Sequence, residues 1–201
     1  STDSDDLTAP DPLVGNVHVV MGLDGEATDR FIVINGVSYT GELTLSDVGS
    51  INYSALKIGK KTGGGEVGGS VNFVAIKKGT ITEAQAINLC TIMADGSLGT
   101  STKYSDQAVA LGADHLYGTV SGSTWTDLIG SEDATLTGGT AGDTIQDDMT
   151  EVDFAQLATS EAVTGITSVG TQGFTMFGWY TMADVTPAAN IGLSSMYGSG
   201  V

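Results

Sequence analysis

The chain has 201 residues, 24 acidic against 7 basic, and a formal charge of −17, which describes one compact domain, or two small ones, with a strongly acidic surface. No basic run exists to neutralise phosphates, so a nucleic-acid partner is excluded, and the same field repels anionic lipid. No stretch approaches the roughly 20 consecutive apolar residues that cross a bilayer, so membrane insertion is not expected, while a hydrophobic fraction of 40% suffices for a core.

The acid excess is 17 Asp and 7 Glu, Arg30 is the single arginine, and glycine contributes 29 residues. Such a surface suits molar salt, where the Debye length falls to about 3 Å and self-repulsion is screened, and it points to a halophilic system. An ordinary acidic extracellular protein kept soluble by its carboxylates is the alternative. The one cysteine, Cys90, permits no internal disulfide and sits in the apolar run Ile87-Asn88-Leu89-Cys90-Thr91-Ile92-Met93, where it reads as a small buried hydrophobe. The first residues, Ser1-Thr2-Asp3-Ser4-Asp5-Asp6, carry no charged-then-apolar leader pattern. The chain then either reaches its place without a leader, as virion components do, or has had one removed, and the expected location is a virion or the extracellular space.

Residues 1–12, acidic and with Pro10 and Pro12, read as an extended arm that is ordered against a partner. From there the pattern is almost wholly β. Residues 15–23 alternate apolar and polar positions and end at the turn pair Asp24-Gly25. Phe31-Ile32-Val33-Ile34, then Asn35-Gly36, then Val37-Ser38-Tyr39 predict a hairpin, because Asn-Gly tolerates the positive φ angles of a type I′ turn. Strands are predicted over 55–59 and 69–76. The glycine-rich link Thr62-Gly63-Gly64-Gly65 between them lacks the Lys-Ser/Thr pair of a P-loop and reads as a flexible turn. One short helix is predicted near 82–93, where Thr82 and Gln85 have the spacing of a capping box and Ala86, Ile87 and Cys90 supply an apolar face. A Gly/Ser linker over 95–101 precedes a second β-rich portion with candidate strands near 108–111, 134–136, 152–155, 174–182 and 189–193. Phe174-Thr175-Met176-Phe177-Gly178-Trp179-Tyr180 is apolar on both parities, as a central strand covered on both faces would be. Short strands with turns between them predict an all-β jelly-roll sandwich over 13–201, built from two half-domains, 13–95 and 104–201.

The pair Asn16-Val17-His18-Val19-Val20-Met21-Gly22-Leu23-Asp24-Gly25 and Arg30-Phe31-Ile32-Val33-Ile34-Asn35-Gly36-Val37 resembles two consecutive strands of the laminin-G-like or concanavalin A-like lectin and glucanase sandwiches. Leu56-Lys57-Ile58-Gly59, Gly69-Ser70-Val71-Asn72-Phe73-Val74-Ala75-Ile76 and Thr82-Glu83-Ala84-Gln85-Ala86-Ile87 are similar to that family's closing motifs. In the family these belong to the second half of the domain. Motifs similar to the first half come afterwards: Thr124-Trp125-Thr126-Asp127-Leu128-Ile129-Gly130 with Ala134-Thr135-Leu136, and the strand from Phe174 to Tyr180. Three arrangements are compatible with this order: a circular permutant that closes on itself, subunits that complete one another's sheets, or a piece of a tandem array.

The resemblance also implies candidate sites. Glucanases of this class carry E-x-D-x-E or E-x-D-x-x-E on one strand, whereas Glu151-Val152-Asp153-Phe154-Ala155-Gln156 places Ala155 or Gln156 where the proton donor belongs. Hydrolysis is therefore not expected, and the chain is read as a non-enzyme. Trp125, Asp127 and Tyr197 are the candidate carbohydrate-binding residues, by analogy with lectin aromatics, with Trp125 and Asp127 in a loop-like stretch. Trp179, in the most apolar strand, reads as core. No cofactor is required; Asp143, Asp147, Asp148 and Asp153 are the candidate ligands of a structural calcium ion, with Asp24 and Asp29 a second such place, although 24 acids make such crowding expected by chance. His18 and His115, far apart and without a cysteine partner, read as imidazoles bonded to backbone rather than zinc ligands. These readings converge on a structural or adhesion protein of a virion surface (spike, fibre or capsid decoration) or an extracellular filament, partnered by copies of itself or by other subunits of the assembly. A lectin-like module that binds a cell-surface glycan is the alternative.

Overall fold

A computed structural model describes residues 15–24, 30–39, 55–59, 69–94, 104–144, 149–154, 160–167, 173–182 and 194–197. Strand β1 (Gly15–Asp24) is followed by β2 (Arg30–Ile34) and β3 (Val37–Tyr39). The turn between the last two has φ of +48° at Asn35 and +81° at Gly36, the two positive values of the predicted type I′ hairpin. Asn35 also ties the hairpin to β1: its amide donates to the His18 carbonyl at 3.0 Å, and its Oδ1 accepts the His18 amide at 2.9 Å.

Next come β4 (Ala55–Ile58), β5 (Gly69–Lys78) and the helix α1 (Glu83–Ala94). The predicted capping box is formed in both directions: the Gln85 amide donates to Thr82 Oγ1 at 3.2 Å, and the Thr82 amide donates to Gln85 Oε1 at 2.8 Å. Two otherwise orphaned amides are thereby satisfied at the helix start. The strand predicted over 108–111 is instead the end of a second helix, α2 (Tyr104–Ala110). A four-residue apolar run fits either period, and here Ala108 is buried while Val109 is exposed, as on one helical face. Gly112, with φ of +73°, closes the helix in the left-handed conformation that glycine adopts freely.

The remainder is β: β6 (His115–Ser121), β7 (Thr124–Asp127), β8 (Ala134–Thr137), β9 (Gly139–Thr144), β10 (Thr150–Phe154), β11 (Glu161–Val163), β12 (Gly173–Met182) and β13 (Ser194–Tyr197). The stretch around Trp125, expected as loop-like, is thus strand. Every pairing is antiparallel. The main order is β13-β4-β11-β8-β7-β6-β5-β12-β1-β2-β3. The sheet forks at β5: one edge pairs with β12 along its length, while the other pairs with β6 through Val74–Ile76 and with β10 through Gly69–Val71. The two parts of the chain interleave rather than fold separately, since β12 lies between β1 and β5, and β11 beside β4.

Alternation along the central strands sorts their side chains into two cores. Val17, Val19, Val74, Ile76, Met176 and Tyr180 join Leu56, Ile58, Trp125, Leu136 and Phe154 in one cluster. Val20, Val33, Phe73, Ala75 and Phe177, of opposite parity, join Ala86 and Leu89 of α1 and Ala108 of α2 in the other. Strand β12 is buried on both faces, as its continuous apolar pattern predicts. Its packing requires Gly178, where a Cβ would collide with the Phe73 carbonyl oxygen of β5. No helix among the described residues is long and apolar enough to cross a membrane.

Several expectations fall outside the described residues: the arm over 1–12, the links over 62–65 and 95–101, Asp29, Asp147, Asp148, the strand over 189–193, and the side chains of Asp24, Cys90 and Tyr197.

Candidate functional site

The most heavily constructed polar feature lies where β6 begins and β7 ends. Strands β6 and β7 form a hairpin around Gly122 and Ser123, with Ser121 opposite Thr124 and Tyr117 opposite Asp127. That register carries Asp127 to the neighbourhood of His115, and Asp127 Oδ2 meets His115 Nδ1 at 2.7 Å. Both residues are buried. The short segment that follows β7 folds back onto the same carboxylate. Asp127 Oδ1 accepts the amides of Leu116 at 3.0 Å, Ile129 at 3.2 Å and Gly130 at 2.9 Å. Oδ2 also accepts the Glu132 amide at 3.3 Å. The Asp127 amide in turn donates to Asp133 Oδ1 at 2.9 Å, and the Leu128 amide to the Leu116 carbonyl at 2.7 Å.

Burial alone would raise the Asp127 pKa, but the bond from His115 and those from the Leu116, Gly130 and Ile129 amides outweigh it and hold the carboxyl at about 2. The carboxylate is therefore ionised at neutral pH. An ionised carboxylate offers about four lone-pair sites. All are engaged by the chain itself, so Asp127 serves to fasten a loop, and as a general base or metal ligand it would first have to break these bonds. Because an ionised carboxylate can only accept, His115 donates to it from Nδ1. Gly130 closes the arrangement: a Cβ there would collide with Asp127 Oδ2 and lie 2.7 Å from His115 Nδ1.

Asp127, expected as a sugar contact, is thus a structural anchor, and its partner His115 is not evident from the sequence. One signal does point to the turn, since Asp followed three residues later by Gly is the spacing of a side-chain-capped turn. His115, expected to bond backbone, bonds this carboxylate instead. Trp125 is fully buried at 0% exposure, its ring 5.5 Å from that of Tyr117, so it presents no face on which a sugar could stack. Alternation on β7 explains the correction: Trp125 and Asp127 share the inward parity, and Thr124 and Thr126 take the other. Tyr197 lies on β13 opposite Ala55, a strand end distant in the pairing order from β7.

The calcium candidates divide likewise. Asp143 on β9 and Asp153 on β10 are both exposed. The Asp143 amide donates to Glu151 Oε1 at 3.2 Å, and Asp153 Oδ1 accepts the Ser70 hydroxyl. Among the described residues no group of three or more His, Cys, Asp or Glu side chains is arranged to hold a metal ion. Glu151 and Asp153 do share the outward face of β10, leaning over Gly142, whose Cβ would meet both of them within 3.0 Å.

The second histidine, His18, is wholly buried on β1, its ring 5.3 Å from that of Trp179 on β12. Burial depresses its pKa from 6.5 to about 3, so it is neutral. Trp179 itself is partly buried against the helix-covered core.

No family model matches the chain, and no curated protein and no solved structure matches it.

Proposed function

We propose that the chain is a non-enzymatic structural or adhesion subunit, folded as a permuted concanavalin A-like sandwich, of a virion surface or an extracellular filament in a high-salt setting. The observation that carries this reading is the use made of Asp127. Burying a charge is strongly unfavourable unless it is bonded, and here the whole acceptor capacity of the carboxylate goes to the chain's own amides and to His115. The result is a rigid surface loop, which suits a structural or adhesive part.

The interleaved pairing of early and late strands supports the self-closing permutant over exchange of half-domains between subunits. Assembly then proceeds through finished surfaces. At −17 those surfaces repel one another in dilute salt and are released to associate when the charge is screened.

Molar mass by light scattering, from about 0.1 to about 3 M salt, tests the reading. Mass that rises with salt and protein concentration, with β structure retained, is the expected result. A monomer throughout overturns it, and glycan affinity in that monomer would move the reading to a carbohydrate-binding module.

A further inference from the structure

We propose that residues 128–133 form a preorganised docking loop, with Leu128 and Ile129 as apolar anchors, for a cationic protein surface that presents an apolar socket. Among the described residues the exposed large hydrophobics are Val37, Val109, Leu128 and Ile129, and only the last two are adjacent, at 45% and 37% exposure. Ordinarily two such residues in a loop would carry little weight, because a floppy segment loses its gain in ordering. This segment is already ordered. The amides of Leu128, Ile129, Gly130 and Glu132 are all fastened, the first to the Leu116 carbonyl and the others to the buried Asp127 carboxylate. Leu128 is further seated over Gly118, where a Cβ would come within 2.7 Å of its Cδ1. A buried charge thus fixes the backbone that carries two partly exposed apolar side chains, which lowers the ordering cost of a contact made through them.

Charge decides the occupant. The anchors are bordered by the exposed Glu132 and Asp133 and by Asp114, whose carbonyl oxygen would lie 2.9 Å from a Cβ on Gly130. At the end of β5 the Lys77 ammonium donates to the Gly112 carbonyl at 3.4 Å, and the backbone amide of Lys78 donates to Asp114 Oδ2 at 2.6 Å, so acids outnumber bases three to two around the anchors. A second copy of the chain, at −17 with only 7 basic residues, is a poor match. A different chain with an apolar pocket rimmed by lysine or arginine is the fitting one. The inference deepens the assembly reading by naming the chemistry of a neighbouring subunit, and it rests on that reading only for where such a subunit is found.

The test is amide NMR titration of the intact chain at about 0.15 M salt with a synthetic peptide of alternating leucine and lysine, and with polylysine of equal charge. The leucine-lysine peptide should shift amides centred on 128–133, and the Leu128→Ser/Ile129→Ser double variant should weaken it by about tenfold or more. Polylysine should bind wild type and variant alike, diffusely. Asp127→Asn, which keeps both anchors but loosens the loop, should weaken the peptide and speed amide exchange at Ile129 and Gly130. Equal peptide affinity in wild type and double variant, or shifts centred elsewhere, overturns the proposal. The double variant leaves Asp127 and its bonds in place, and polylysine binding equal to wild type together with an unchanged amide spectrum away from 128–133 shows that it is folded, so its result decides the matter even if Asp127→Asn does not fold. Failure here leaves the light-scattering result untouched, and the two readings fall separately.

Discussion

Lowering the pH from 7.5 to 5.0 should destabilise this protein through His18, and the size of the effect follows from its burial. The imidazole is held neutral, its pKa depressed from 6.5 to about 3 by desolvation. Between those two values the unfolded chain binds a proton that the folded chain does not, so stability is fully present above pH 6.5 and declines as the pH falls towards 3. The slope is about 1.4 kcal/mol per pH unit, and over the window from pH 7.5 to 5.0 the loss comes to about 2 kcal/mol. That window lies above the ordinary range of Asp and Glu, so relief of carboxylate repulsion does not mask it. Urea unfolding of wild type and His18→Leu at the two pH values isolates the contribution. The variant shifts stability at both pH values, but only the wild type should carry the additional loss at pH 5.0. Because the rest of the sequence is common to both chains, an equal loss in the two would refute the claim that His18 is buried neutral.

Three substitutions probe the frame around it. Gly178→Ala forces a Cβ against the Phe73 carbonyl oxygen between two central strands, and it should cost at least about 1–3 kcal/mol in denaturant unfolding; a cost below about 0.5 kcal/mol would show that β5 and β12 can separate there. Thr82→Ala removes one arm of the reciprocal cap at α1 and should cost about 1 kcal/mol, with wild-type stability for Thr82→Ser. Tyr180→Phe removes a buried hydroxyl that has no hydrogen-bond partner among the described residues. Since an unsatisfied buried donor costs about 1–3 kcal/mol, the variant should be as stable as wild type or up to about 1 kcal/mol more so, and a clear loss would reveal a bond to that hydroxyl.

The parts of the fold that are legible in the sequence are those where one local interaction decides the structure. Asn35-Gly36 requires two positive φ angles, and few structures other than a tight hairpin supply them. Thr82 and Gln85 satisfy one another within a single turn, so the start of α1 needs no tertiary contact to be recognised. Helix α2 is hidden for the opposite reason. Ala108-Val109-Ala110-Leu111 is too short to declare a period, and its helical state is fixed by burial of Ala108 and by the turn at Gly112. The fork at β5 is equally hidden, because it depends on two different strands sharing one edge. A ten-residue strand reads the same whether one neighbour or two lie along it.

The candidate site shows the same division at the level of chemistry. In a chain with 24 acids, composition alone produces clusters of carboxylates, and the densest segment, Asp143 to Asp153, stands out for that reason. Asp143 and Asp153, however, are both exposed, where solvent screens a carboxylate and its exact position matters little. What sets Asp127 apart is burial, and burial comes from the parity of a strand whose sequence looks like loop, with Trp125 two residues earlier on the same face. Once that face is inward, the carboxylate has to be neutralised or bonded, and the hairpin register brings the means: His115 from the neighbouring strand, and amides from the segment that returns over it. The family resemblance makes Trp125 and Asp127 candidates for contact with a sugar. They are a pair facing the interior, and whatever the chain binds near them meets the product of that interior arrangement, the loop that carries Leu128 and Ile129 at the surface.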